Sequence, residues 1–157
     1  MDFMEEKFFT STEAAEISGC SRRQLQYWRE RGVVVPTVNA TGKGRNVYYT
    51  VPDLLALTIM EYLLSIGLNF EICCKALETL REQEPWLFEE SGMPREVKHL
   101  MFLSVCSDQK QLKLAEFNQR AAIAALSQGQ AVVPFRSDQV QERFNQNLKN
   151  FRRSLSA

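Results

Sequence analysis

The chain is poor in the residues from which most catalytic and metal sites are built. One histidine, His99, stands among 157 residues, so a hydroxyl–imidazole–carboxylate triad has almost nothing to draw on. No carboxylate pair has a context that suggests acid–base work. No glycine loop long enough to cradle phosphates occurs, Gly42-Lys43-Gly44 being too short. No apolar run approaches the roughly 18 residues of a membrane span, and the acidic stretch Met1–Phe9 lacks the apolar core of a secretion signal. These absences lead us to expect a cytoplasmic protein with no enzymatic activity, no cofactor and no membrane partner. There is no internal repeat and no low-complexity segment.

Cysteine is present four times (Cys20, Cys73, Cys74, Cys106) but never with CxxC spacing. Adjacent residues on a helix diverge by about 100°, so Cys73 and Cys74 are poorly placed to ligate one ion together. Free, buried thiols in a reducing compartment are the expectation, and no metal site.

Net charge is also missing: 19 basic residues balance 19 acidic ones. Its distribution is uneven, however. From Ser21 to Thr50 six basic residues (Arg22, Arg23, Arg29, Arg31, Lys43, Arg45) face one acid, Glu30, whereas the preceding stretch holds Asp2, Glu5, Glu6, Glu13 and Glu16 against Lys7. A local basic surface on a neutral chain is what a nucleic-acid footprint requires.

The periodicity around that segment is helical and punctuated by glycine. Thr10 or Ser11 caps a helix to Ser18 that buries Ala14, Ala15 and Ile17, and Gly19 ends it. Ser21 caps a second helix with Leu25 and Trp28 on its core face, closed by Gly32. Two short helices across a tight glycine turn are a helix-turn-helix. Val33–Pro36 leaves as an extended segment, residues 39–46 have the composition of a hairpin tip, and Val47–Thr50 returns as a strand, which makes a wing. Thr50 caps a third helix with Pro52 in its first turn, running to Ile66 before Gly67, and a fourth helix spans Phe70–Arg81.

The pattern changes after Pro85. Trp86-Leu87-Phe88 is an apolar cluster and Gly92-Met-Pro94 breaks the chain. Leu100–Cys106 reads as a strand, Ser107–Lys110 as a turn, Leu112–Phe117 as a second strand, and Gln119–Leu126 as a helix ended by Gly129. Ala131–Phe135 reads as an edge strand because of Pro134. Ser137 is expected to cap a last helix with the stripe Val140, Phe144, Leu148, Phe151 and Leu155. The fold class is therefore mainly α: a winged helix-turn-helix domain (8–83), a linker (84–94) and a small α+β domain (95–157) for dimerisation or signal reception. The stripe on the last helix leaves two roles open, a dimer contact or packing within its own small domain.

From Phe9-Thr-Ser-x-Glu-Ala-Ala-x-Ile-Ser-Gly-Cys-Ser-Arg-Arg-Gln-Leu-Gln-Tyr-Trp-Arg-Glu-Arg-Gly-Val-Val-Val-Pro36, through Gly44-Arg-Asn-Val-Tyr-Tyr-Thr50 and Asp53-Leu54, to Ile66-Gly-Leu-Asn-Phe-Glu-Ile72, the first half resembles a MerR-family domain. The resemblance implies a transcription regulator that binds double-stranded DNA as a homodimer, acts at promoters by bending or untwisting DNA, and has RNA polymerase as a further partner. It puts Arg22, Arg23 and Gln26 at the base edges, Ser21 among the DNA-binding residues, Tyr27 on a backbone phosphate, and Lys43 and Arg45 of the wing on backbone or minor groove. Tyr49 is expected to pack beneath the wing. Family members usually have arginine where Gln26 and Val47 stand and often tyrosine where Trp28 stands. Many also continue into a long dimerising helix, which Pro85 and Pro94 oppose here. Two rival readings remain: an excisionase-like architectural DNA binder, or a protein-interaction adaptor.

Overall fold

The structure is a computed structural model, and it describes residues 8–40, 46–89, 99–105 and 108–156. It is mainly helical, with helix-turn-helix elements at the N-terminal end and a small sheet in the second half. Helix α1 (Ser11–Ser18) begins at a reciprocal cap. The Thr10 hydroxyl accepts the Glu13 amide (3.2 Å) while the Glu13 carboxylate accepts the Thr10 amide (2.9 Å), so two otherwise orphaned donors are satisfied at once. Gly19 then takes φ 82, a left-handed conformation that costs glycine little, and the chain turns into α2 (Arg22–Glu30).

The wing follows as a short hairpin. Strand β1 (Val38–Asn39) pairs antiparallel with β2 (Val47–Tyr48), and an isolated bridge joins Phe9 to Tyr49. Asn39, read from the sequence as part of the tip, is thus a strand residue. The Ala40 amide donates to the Asn46 carbonyl (3.3 Å), and residues 41–45 of the expected tip lie outside the described residues. Helix α3 (Val51–Ser65) has Pro52 in its first turn, and buries Leu54, Leu55, Ala56, Leu57, Ile59, Met60 and Leu63. Burial on so many sides follows from its place at the centre of the molecule. Helix α4 (Phe70–Gln83) begins at Asn69, whose side chain accepts the Ile72 amide.

Pro85–Phe88, within the stretch read as a linker, form a 3-10 turn whose Leu87 is buried against α3 and α4. Residues 90–98 of that stretch are outside the described residues. Three antiparallel strands come next: β3 (His99–Val105) at the centre, β4 (Asp108–Glu116) on one side and β5 (Val132–Arg136) on the other. Strand β4 begins earlier than the expected Leu112, so Asp108–Lys110 join the sheet rather than a turn. Pro134 sits on an edge strand, opposite Met101. Helix α5 is Gln119–Ser127, and α6 is Ser137–Leu155.

The two faces of this sheet meet different neighbours. Leu100, Phe102, Leu114 and Phe135 turn toward the N-terminal helices, where Tyr62 of α3 meets Phe135 edge to face (centroids 5.9 Å). Met101 faces the opposite way, and Ala122 and Ala125 of α5 are the buried residues on that side. Ser137 is not the cap that its hydroxyl suggested. Arg136 still pairs with His99, so the chain passes from β5 into α6 without a loop residue, and Ser137 is the first residue of the helix, buried.

The stripe on α6 meets neither of the two expectations held open for it. Val140, Phe144, Leu148 and Phe151 are buried against α1 and α3 of the N-terminal half. Phe151 packs edge-on to Phe9 (6.2 Å), the Asn147 amide donates to the Ile17 carbonyl (3.0 Å), and Arg143 pairs with Glu61 of α3 (3.1 Å). One continuous set of buried side chains runs from Phe9 to Phe151. Leu155 does not join it and is 66% exposed.

Candidate nucleic-acid interface

Helix α2 owes its position to two buried side chains. Leu25 and Trp28, three residues apart on one face, are anchored in the core, and each such anchor contributes about 1.5–3 kcal/mol by apolar burial. The opposite face is thereby fixed outward. Arg22, Arg23 and Gln26, at positions i, i+1 and i+4, are all exposed there. Ser21 is the N-cap: its hydroxyl accepts the Gln24 amide (3.1 Å) and the Gln24 side chain accepts the Ser21 amide (2.9 Å). This is the cap that the sequence suggested for the second helix.

The first turn of α2 holds no carboxylate. No negative charge within the turn therefore offsets the positive end of the helix dipole, an arrangement suited to an anion. Gln26 donates to Glu30 (3.2 Å), one turn further along, which holds the amide group along the outer face.

Tyr27 is 45% exposed, and its ring packs on Phe70, the first residue of α4 (centroids 5.3 Å), with the Arg31 guanidinium 5.7 Å from the ring centre. The aromatic body is thus used to join α2 to the start of α4. Tyr49, expected beneath the wing, is buried there and holds its place through reciprocal backbone hydrogen bonds with Phe9 (both 2.8 Å). Lys43 and Arg45 lie outside the described residues.

Two residues matter for the geometry that the sequence did not single out. Arg29 Nε donates to Asn39 Oδ1 (2.6 Å) and its guanidinium also reaches the Ala40 carbonyl (3.3 Å), which ties α2 to the outgoing strand of the wing. Asp53 Oδ2 accepts from the Thr37 amide (2.8 Å), the Thr37 hydroxyl (2.7 Å) and the Thr50 amide (2.9 Å). One carboxylate oxygen therefore clamps both ends of the hairpin to the first turn of α3. The signal for Asp53 was available, since an acid three residues after a threonine N-cap is a capping pattern. No local pattern announces Arg29–Asn39, because the contact depends on where the hairpin returns.

The described cysteines, Cys20, Cys73 and Cys74, are free thiols. Cys20 is buried behind the helix-turn-helix turn with its Sγ toward the Leu57 carbonyl (3.5 Å), and burial pushes its thiol up to about 12. Burial does the same to Cys73, also to about 12, and raises Cys74. Cys106 is outside the described residues. Among the described residues no cluster of three or more His, Cys, Asp or Glu side chains suits a metal ion, and no helix is long and apolar enough to cross a membrane.

Comparison with known proteins matches residues 9–80 to the family described as MerR HTH family regulatory protein. The chain is also similar to proteins named HTH-type transcriptional regulators, uncharacterised themselves, from Mycobacterium bovis and Mycobacterium tuberculosis. Identity is 35% over 71 residues, which is 45% of this chain and 32% of each relative. The chain thus spans about a third of the length of the curated relatives it matches.

Proposed function

Because residues 9–80 are a MerR-family helix-turn-helix region, we propose that this chain is a sequence-specific DNA-binding transcription regulator that reads double-stranded DNA with α2. One observation carries the reading: Arg22, Arg23 and Gln26 share the exposed face of a helix whose other face is locked by Leu25 and Trp28. An α-helix fits the major groove of B-DNA, and an arginine fork matches the paired acceptors of guanine as an amide side chain matches adenine. Phosphates flanking the site meet the N-terminal end of α2 and the basic residues Lys43 and Arg45 of the wing. The Arg29–Asn39 contact sets the distance between helix and wing, and so between groove and flanking backbone.

A helix of nine residues contacts few base pairs. Two copies bound about one helical turn apart would multiply the specificity and require a palindromic site. We therefore propose a homodimer acting at promoters, inside the cytoplasm, with RNA polymerase as the neighbouring partner. The dimer contact must come from a surface other than the buried stripe of α6.

Selection of preferred sites from random duplexes tests this. The expected result is a two-fold symmetric sequence whose binding weakens steeply with salt and collapses in Arg22→Ala/Arg23→Ala. Absence of any salt-dependent attraction to duplex DNA at low ionic strength overturns the proposal.

A further inference from the structure

The C-terminal end of α1 is finished by groups from another helix. Its last turn holds no basic residue, so no cation of its own meets the negative end of the dipole, and its last carbonyls have no partner inside the helix. The Gly19 amide takes one of them, that of Ala15. The Ile17 carbonyl accepts instead from the Asn147 amide (3.0 Å), 130 residues away in sequence. One turn earlier on the same face of α6, Arg143 pairs with Glu61 (3.1 Å). The Glu61 side chain lies against Gly19, where a Cβ would stand 3.9 Å from the Glu61 Cγ and Cδ.

These contacts meet at the turn between α1 and α2. The Ser18 hydroxyl donates to the Ala14 carbonyl (2.7 Å) and accepts the Cys20 amide (3.2 Å). After burial and that Ser18 hydroxyl, Glu61 and Arg143 are the charges that bear on the Cys20 thiol, so both stand beside the turn. Only Gly19 and Cys20 separate the end of α1 from Ser21, the cap of α2. A tilt at the end of α1 therefore passes to α2. Helix α6 is itself anchored at both ends: Arg136, just before it, stays paired with His99 of β3, and Phe151 packs on Phe9.

We propose that Asn147 and Arg143 are positioning residues for DNA reading: from α6 they brace the turn after α1 and so fix the angle at which α2 enters the groove. This rests on the reading of α2 as the DNA-reading helix. Neither residue touches DNA in this role. Their contribution is the alignment of Arg22, Arg23 and Gln26 with base edges, and so specificity rather than charge attraction.

The test compares full-length wild type with Asn147→Ala/Arg143→Ala on the selected duplex and on an unrelated duplex across salt, beside a melting curve. Affinity for the selected duplex should fall at least about fivefold, the loss that one misaligned base pair brings. Affinity for the unrelated duplex and the log–log salt slope should stay as in wild type. Arg143→Lys, which keeps the cation, should retain the preference for the selected duplex. If the double variant does not fold, Asn147→Ala alone carries the test and should show part of the same loss. A folded variant with wild-type preference overturns the proposal while leaving α2 as the reader. So does an equal loss on both duplexes with the slope lower by about 0.9, the mark of a lost phosphate contact. A wild type that shows no salt-dependent binding overturns both.

Discussion

Arg29 holds helix α2 and the wing at one separation by donating through Nε to Asn39 Oδ1 at 2.6 Å. The contact is solvent-accessible, so it adds little to global stability, about 0.5–1.5 kcal/mol. Its effect is geometric. Arg29→Ala should leave thermal unfolding within a few degrees of wild type yet weaken DNA binding at least several-fold, because a misplaced wing loses its phosphates. Electrophoretic mobility shifts beside a melting curve check this; equal losses in both would show that Arg29 is structural only.

Asp53 is a different case, since three donors converge on one oxygen. Asp53→Ala strips the acceptor from the Thr37 and Thr50 amides together, and a cost of about 1–3 kcal/mol follows if water replaces it incompletely. Chemical denaturation should show that loss, and amide exchange should accelerate first at Thr37 and Thr50.

The packing of α6 on α1 and α3 predicts shared unfolding. Phe144 is buried in the same continuous core as Leu57 and Leu77, so Phe144→Ala should destabilise by about 3–5 kcal/mol. The helices of the N-terminal half should melt in the same transition. Two resolved transitions by calorimetry, with the first alone shifted, would contradict this.

Burial raises the Cys20 and Cys73 thiols to about 12 from 9.0. Thiolate is the reactive form, so both should resist alkylation near neutral pH in the folded protein and react freely in denaturant, as peptide mass mapping would show. The sign for stability follows from linkage. A thiol whose folded pKa lies above its unfolded value stabilises fully below the unfolded value. That contribution fades as pH climbs from about 9 toward 12. Cys20→Ala should flatten part of that alkaline decline.

Much of the N-terminal half is legible because its signals are local. Thr10 with Glu13, Ser21 before Arg22, Pro52 after Thr50, and glycines at 19, 32 and 67 mark helix boundaries within a residue or two. The exposed set Arg22, Arg23 and Gln26 follows once Leu25 and Trp28 are assigned to the core. What stayed hidden is non-local. An apolar stripe on α6 states that something covers it, not what, and its cover turned out to be α1 and α3. The packing of the Tyr27 ring on Phe70 is likewise non-local, and no pattern within α2 announces it. Ser137 misled for another reason: the strand-to-helix junction has no residue to spare, so the pairing of Arg136 moved the cap back by one.

Pro134 has a bearing on how copies of this protein meet. Its ring nitrogen carries no hydrogen, and among the described residues β5 has its one strand neighbour on the β3 side, so the other rim of β5 is interrupted at its middle residue. A strand from another molecule approaching there finds a gap in the ladder. Extension of the sheet from one molecule to the next is discouraged on that border.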